Sequence, residues 1–543
     1  MPNDSPATDS PTPDSTHSSA LAPLSIPVFR MLWFTWLAAN ISMWMNDVAA
    51  AWLMTSLTTS PMLVALVQTA STLPVFLLGL PSGALADILD RKRFFLLTQL
   101  WVAVVALLLC GVVFAGWMSP PLLLAMTFAN GIGLALRWPV FSAIVPELVP
   151  RHQLPAALAL NGVSMNASRI IGPLVAGALI ASLGSAYVFM LNAVLALVAA
   201  IVVSRWKREP TLHPLGREKL LSAMRVGMQF MAQSKHLQGV LVRICLFFFH
   251  STALIALLPL VARDLPGGGA GTFTLLLASM GAGAIVAALN MQRLRSIWSR
   301  DGLVVRGSAL QSLAMGVVAF APHAAIAAIA MAIAGMAWIT TANTLSVSAQ
   351  FGLPDWVRAR GMSMYQMAIM GASAAGAAIW GQVATHYTIT ASLVVAAATG
   401  VLTMLLANRW MSDSQAQDDL TPSSLFKVPV VKQPPGSGRV VLTIEYRIDP
   451  ARADEFRALM RVSRRSRLRH GALSWELLRD INDPGLFIEQ IVDESWTEHL
   501  RRFDRVTTAD VALRDRKQAF HIGDTPPVVK RRIVESAPSD DPH

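Results

Sequence analysis

The chain has 543 residues, 54% of them hydrophobic and 14% charged, with a net charge of +11 and a mean hydropathy of +0.49. A soluble domain needs a polar surface that this composition does not supply, and a nucleic-acid-binding surface would gather its basic residues into one patch instead of spacing them between apolar runs. What remains is an integral membrane protein, because the apolar residues fall in blocks of about 20, the length at which a helix crosses roughly 30 Å of hydrocarbon.

Residues 1–26 are rich in Ser, Thr, Pro and Asp and have no basic start ahead of an apolar core, so they are read as a disordered cytoplasmic tail and not as a signal peptide. Six spans are then predicted at 28–53, 61–85, 94–116, 120–144, 157–182 and 186–206, within an N-terminal half covering 27–206. A basic segment, 207–238, is expected to be a cytoplasmic loop between the halves. Six more spans follow at 239–262, 271–291, 303–321, 323–347, 362–384 and 387–408, within a C-terminal half covering 239–410. The two cysteines, Cys110 and Cys245, lie inside apolar runs and are read as packing residues.

The Lys and Arg residues sort onto one set of connections: 91–93, 151, 205–235, 293–300 and 358–360. The alternate connections carry only Arg263, next to Asp264. Positively charged loops stay on the cytoplasmic side, so both termini are expected there, in a multi-pass protein of the bacterial inner membrane. The halves also repeat. Laying LVPRHQLPAALALNG (148–162) on GLPDWVRARGMSMYQ (352–366) superposes Pro150 on Pro354, and the same offset puts Gly172 on Gly376 and Gly177 on Gly381.

Beyond residue 410 the composition changes. Residues 411–438 read as a linker, and 439–535 as a soluble domain: a strand at 439–448, a basic helix at 450–468, strands in ALSWELLRD and LFIEQIVDES around NDPG, a helix over 496–520 and a last strand in PVVKRRIV. The βαββαβ order is that of a ferredoxin-like sandwich, and 536–543 is left as a tail.

GALADILDRKRF (83–94) packs five charges between two apolar runs. Gly83 and Asp87 are four apart and share a helix face, where glycine admits a second backbone, and Asp87 stands four residues ahead of Arg91 in the favourable order. With six plus six spans, this loop resembles that of the major facilitator superfamily. Gly83, Asp87, Arg91 and Arg93 match that family's pattern, while Ile88 stands where Arg is frequent and Asp90 where Gly is common. Within the superfamily the chain is similar to the bacterial exporter branch that includes the enterobactin exporter, on NDVAAAWL (46–53), LVQTASTLPVFLLGLPSGALADILDRKR (66–93) and ALALNG (157–162). The resemblance covers about 27–410. It implies an all-α membrane protein of twelve transmembrane helices in two six-helix halves, a gating motif at Gly83, Asp87, Arg91 and Arg93, and proton-driven export of an amphiphilic small molecule by alternating access. Uptake of a small metabolite is the alternative. Gly172, Pro173 and Gly177, in the fifth span, resemble the family's exporter motif of small, closely packed residues.

A charge at mid-bilayer costs about 2.5–3.5 kcal/mol on insertion scales, so each exception needs a reason. Asp47, Arg137 and Arg169 are expected to face the central cavity, Asp47 taking up the coupling proton and the arginines neutralising it or holding an anionic substrate group, with an Asp47 merely hydrated near the outer interface as the equal alternative. Asn46, Asn161 and Gln366 complete the expected substrate and proton pathway, with Asn40, Gln68, Asn130, Asn166 and Asn343 as further lining candidates. Arg243 is expected to snorkel to the cytoplasm. His250 is read as either a packed histidine or a proton relay. No phosphate-binding loop is found, so ATP hydrolysis is not expected, nor is a cofactor or a metal.

The tail resembles small dimeric domains of the antibiotic-biosynthesis monooxygenase family. That resemblance offers Trp475, His470, Asn482 and Trp496 as pocket residues, and either cofactor-free oxidation or dimerisation as a role. A packing Trp475 and a solvated His470 in a non-enzymatic domain is the preferred expectation.

Overall fold

The computed structural model describes residues 21–206, 220–411, 419–423, 425–426 and 438–535. Of the tail expected at 1–26, residues 1–20 lie outside these residues, and the disordered reading is corrected over 22–25, a 3-10 turn with Pro23 buried and Leu24 packed on the first half. The tail expected at 536–543 and the side chains of Gly83, Asp87 and Asn166 also lie outside them.

Helices begin where local chemistry satisfies their first N–H groups. Proline opens α1 (Pro27–Leu57), α2 (Pro61–Ile88) and α4 (Pro120–Leu148), where its missing N–H is no loss. Between them, α3 (Arg91–Phe114) is capped by Asp90, whose carboxylate accepts the Arg93 N–H at 2.8 Å. Then come α5 (Leu154–Ser182), α6 (Ser185–Arg205), α7 (Leu220–Gln233), α8 (Lys235–Asp264), α9 (Ala270–Ile297), α10 (Arg300–Ala319), α11 (Ala324–Phe351), α12 (Asp355–His386) and α13 (Ile389–Trp410). Ten of these helices are long and apolar enough to cross a membrane.

The expected loop at 207–238 is corrected over its second part. Residues 220–233 form α7, an amphipathic helix that buries Val226, Phe230 and Met231. Phe230 and Met231 cluster with Leu237, Leu353 and Val357, tying the connection between the halves to the start of α12. Snorkelling of Arg243 is corrected as well. Its guanidinium is buried and donates to Asp301 Oδ1 at 2.5 Å and to the Gly239 carbonyl at 3.2 Å, so its charge is answered by the first turn of α10.

The repeat seen in the sequence reappears as packing. A methyl group at Gly172 would lie 2.5 Å from Trp44 Cβ on α1, and one at Gly376 would overlap the Phe249 carbonyl on α8, the corresponding helix of the second group. Five residues on, Gly177 meets Thr274 of α9 and Gly381 meets Ala65 of α2. The equivalent glycines therefore carry equivalent close approaches, within a half at the first position and across the halves at the second. The cross-half seam of α2 and α12 is completed by two hydrogen bonds: Thr69 Oγ1 donates to the Ala374 carbonyl at 2.9 Å, and the Met62 N–H donates to Thr385 Oγ1 at 3.0 Å.

The tail builds one antiparallel sheet from β1 (Val440–Arg447), β2 (Ser474–Arg479), β3 (Leu486–Asp493) and β4 (Val528–Ile533), in the order β2-β3-β1-β4. Its helices are α14 (Ala453–Arg469), α15 (Trp496–Asp504) and α16 (Thr508–Gln518). Leu442, Ile444 and Tyr446 of β1 face Phe456 and Met460 of α14 in one core. The single helix expected over 496–520 is corrected to two. Thr507 starts a new helix by a reciprocal cap in which its side chain accepts the Asp510 N–H while its own N–H and Oγ1–H donate to Asp510 Oδ2, at 2.9 and 2.7 Å. The linker expected at 411–438 is also ordered in part: the Thr508 and Ala509 N–H groups donate to the Thr421 and Asp419 carbonyls, and Pro422 bridges to Thr507.

Candidate functional site

Where α1, α2 and α5 of one half meet α9 and α11 of the other, they enclose a cavity of about 240 Å³ with mostly apolar walls. Its polar groups are few: Asp47, Gln68, Ser71 and Arg169, beside the indoles of Trp44 and Trp338. Asp47 accepts one hydrogen bond, from Ser71 Oγ at 2.9 Å. Arg169 lies 4.2 Å above the Trp338 ring and 5.2 Å from that of Trp44, and its Nε has no hydrogen-bond partner among the described residues. Two aromatic faces hold a guanidinium by cation–π attraction, worth about 0.5–2 kcal/mol each, and leave its N–H donors free for a guest. Ile170 of α5 lies against Gly281 of α9 in the cavity wall.

Of the expected pathway residues, the structure brings Asp47, Arg169 and Gln68 to this cavity and takes the other described ones elsewhere. Arg137 is 3% exposed, 5.5 Å from the Trp36 ring, with one N–H on the Ala39 carbonyl at 3.4 Å. It belongs to the packed interior of the first half, where Trp36 stacks on Phe141 at 3.9 Å. Asn46 is buried and accepts from Asn192 Nδ2 at 3.3 Å, which joins α1 to α6. Asn161 and Gln366 are half-buried and do not line the cavity, and Asn40 and Asn130 are buried inside the first half, away from it. Asn343 accepts a 2.6 Å hydrogen bond from Arg295. His250 makes a 2.7 Å contact with the Leu246 carbonyl of its own helix and packs on Trp380, a histidine held by packing. In the gating motif Arg91 is half-buried and Arg93 exposed.

In the tail Trp475 packs against the core, as expected, while the pocket reading of Trp475, Asn482 and Trp496 and the solvated reading of His470 are corrected. Trp475 Nε1 donates to Glu489 Oε1 at 2.9 Å, Asn482 is exposed in the turn after β2, and the Trp496 ring lies tilted 5.3 Å from that of His499, so none of the three lines the cavity that lies between the tail's sheet and its helices. His470 does line it and is 4% exposed, not solvated. Sequence reading missed Glu489 and Asp493. Both are buried on the same face of β3 as Phe487 and Ile491, a placement that period-two alternation in LFIEQIVD already dictates.

His470 is held neutral. Burial drives its pKa down to about 3, and Arg469, Arg502 and Arg467 add to this against the opposing pull of Asp510. An unfolded histidine takes up its proton from about 6.5 downward while the folded one does not, so the tail loses stability as pH falls through that window. The expected slope is about 1 kcal/mol per pH unit below 6.5. Protease resistance of residues 438–535 in the full chain should fall between pH 6.5 and 5, and His470→Gln should flatten the profile. An identical slope in that variant would show that His470 is not responsible.

A family described as transmembrane secretion effector matches residues 18–539. Macrolide efflux protein A of Streptococcus pyogenes is 25% identical over 269 residues, covering 48% of this chain and 65% of its own. The enterobactin exporter EntS of Shigella boydii is 26% identical over 377 residues, covering 67% of this chain and 87% of its own. The chain spans about half to two thirds of the length of the curated relatives that match most significantly. A crystal structure of a bacterial homologue of the human lysosomal transporter Spinster, inward-facing and unoccupied, superposes with a TM-score of 0.56 at 15% identity, over 71% of this chain and 95% of that one.

Proposed function

Because the chain belongs to the transmembrane secretion effector family of major facilitator transporters, we propose that it exports an amphiphilic small molecule carrying an anionic group, in exchange for protons, across the bacterial inner membrane. The observation that carries this reading is the cavity between the halves, where apolar walls meet one carboxylate, Asp47, and one aromatic-held guanidinium, Arg169. Such walls accept the hydrophobic body of a guest and Arg169 its anionic end. Asp47 takes a proton from one side and releases it on the other, and the guest moves the opposite way. Export and not uptake is favoured by the efflux and exporter names of the relatives above.

In this reading α1 and α4 join the ten apolar helices to make twelve spans, six on each side of α7, and the basic connections put both termini in the cytoplasm. The 83–94 loop acts as a cytoplasmic latch. Asp87→Ala is expected to lower transport several-fold at unchanged membrane abundance, and unchanged transport would remove the latch. The tail's strand order and α14–α16 support a ferredoxin-like sandwich.

The deciding experiment is mass spectrometry of culture supernatant and cell contents from the host with the gene deleted, restored, or restored as Arg169→Ala. A compound that is lost outside and accumulates inside on deletion, rescued by the wild type and not by the variant, is the expected result. A compound depleted inside on deletion would reverse the direction to uptake.

A further inference from the structure

The tail holds a second cavity, of about 140 Å³, between its sheet and its helices. One wall is apolar, with Leu442 and Ile444 of β1 and Leu513 of α16. The other is polar and largely buried: Arg467, His470, Arg502, Asp510 and Lys517, with Arg531 of the edge strand β4 at its rim. The charges do not balance. Four cations, Arg467, Arg502, Lys517 and Arg531, face three carboxylates, since Glu489 takes Lys517 and Arg467, Asp493 takes Arg502, and Asp510 stands beside the neutral His470. Arg514, also in the wall, is matched by Asp515 outside it. Among the described residues the Arg531 side chain hydrogen-bonds to the His499 ring, at 3.3 Å, and Arg502 keeps a buried Nε without a partner. Burial, with a smaller contribution from Arg467, lowers the Lys517 ammonium to about 8 against the pull of Glu489. An uncompensated guanidinium at the exposed rim and a buried, unpartnered Arg502 N–H inside, beside an apolar wall, fit a small anion with a hydrophobic body.

The position of this cavity adds the second half of the argument. Phe426, from the linker that leaves the last helix of the bundle, forms part of its wall, beneath Arg514 at 4.8 Å. On the side facing the bundle, the His470 carbonyl accepts from Arg505 at 2.9 Å, Arg505 lies 5.0 Å above the Trp356 ring, and the His470 ring lies 6.2 Å from the same indole. Trp356 opens α12, the helix that forms the cross-half seam with α2. Beside it, Arg225 of α7 pairs with Glu494 at 2.8 Å and Gln229 donates to the Ala472 carbonyl at 3.3 Å. One residue, His470, thus lines the cavity and touches the helix that must move if the halves rock against each other.

We propose that the tail is a ligand-sensing domain: its cavity binds a small amphiphilic anion, an aromatic carboxylate being the best fit, and its occupancy is passed through His470 and Arg505 to Trp356 and α12. The binding site stands independently of the transport reading, on which only the regulatory consequence rests.

The test uses the full chain in lipid nanodiscs with 1-naphthoate as the probe, measured by calorimetry and by hydrogen exchange. The expected result is one saturable naphthoate site that Arg531→Gln weakens about tenfold or more, the loss of one charged hydrogen bond. Uncharged 1-naphthalenemethanol should bind correspondingly less. Arg169→Gln, in the central cavity, should leave this site intact, which separates it from the transport reading. Lys517→Met is the stronger variant, and the exposed position of Arg531 keeps the test valid if Lys517→Met does not fold. Bound naphthoate should also alter exchange in residues 220–233 and 355–364 of the wild type and not of Arg531→Gln. Absence of saturable binding, loss of binding in Arg169→Gln with none in Arg531→Gln, or binding without any exchange change in those two segments would each overturn the proposal.

Discussion

Asp47→Asn is expected to lower proton-coupled transport by at least about tenfold, the factor that 1.4 kcal/mol commands, while the protein still reaches the membrane. The carboxylate has one hydrogen-bond donor, Ser71, in a cavity whose other walls are mainly apolar, and no ion pair with Arg169 within 4 Å. A carboxylate with so few partners in a low-dielectric site exchanges its proton in response to which side is open and whether a guest is bound. Asparagine keeps the size and the hydrogen bond from Ser71 and removes only the proton traffic. The measurement is substrate flux in proteoliposomes with an imposed pH gradient, with and without Asp47→Glu as the charge-retaining control. Gradient-driven flux that survives in Asp47→Asn would remove Asp47 as the proton carrier and leave the cavity with Arg169 alone as its functional charge.

The second large effect is on stability. Glu489→Ala is expected to destabilise the tail by about 3–5 kcal/mol, the cost of removing one partner from a buried charged cluster. Oε2 of this carboxylate receives Lys517 Nζ at 3.1 Å and Tyr446 OH at 3.2 Å, and Oε1 receives Ser463 Oγ at 2.7 Å and Trp475 Nε1 at 2.9 Å. Burial alone would raise its pKa, yet Lys517 and Arg467, with the Trp475 and Ser463 hydrogen bonds, hold it well below the usual carboxylate range. Removing it leaves an ammonium and a guanidinium buried with nothing between them. The size of the loss is comparable to the whole stability of a small domain, so the 438–535 fold should open to protease in the full chain under conditions where the wild type resists. Glu489→Gln, which keeps acceptor atoms for Trp475 and Ser463, should fall between the two. Equal resistance of wild type and Glu489→Ala would show that the cluster contributes little.

The candidate site was legible in part, and particular residues show where the limit falls. Asp47, Arg137 and Arg169 are indistinguishable by sequence, each being one charge in an apolar run, and only two of the three reach the cavity. Arg137 is turned into the first half by Trp36 and Phe141, residues far from it in the chain, and no local spacing records that contact. Local spacing sends Arg243 to water because Asp301, its partner, lies 58 residues away, beyond the whole of α9. Glu489 and Asp493, by contrast, were within reach of the strand alternation and were passed over because carboxylates are expected to face solvent.

By itself the sequence determined that this is a multi-pass helical membrane protein, that its charge gathers on alternate connections, that corresponding glycines recur in two halves, and that a strand-and-helix domain follows. Those features rest on the length of apolar runs, on residue spacing along one helix or strand, and on turn chemistry, all of which act over a few neighbouring residues. The tertiary structure alone decided which polar groups share a cavity, that 220–233 forms a helix between the halves, and that the tail sits against α7 and Trp356. These depend on which face meets which partner across hundreds of residues, where close packing and the need to match each buried charge select one arrangement from many that local pattern allows.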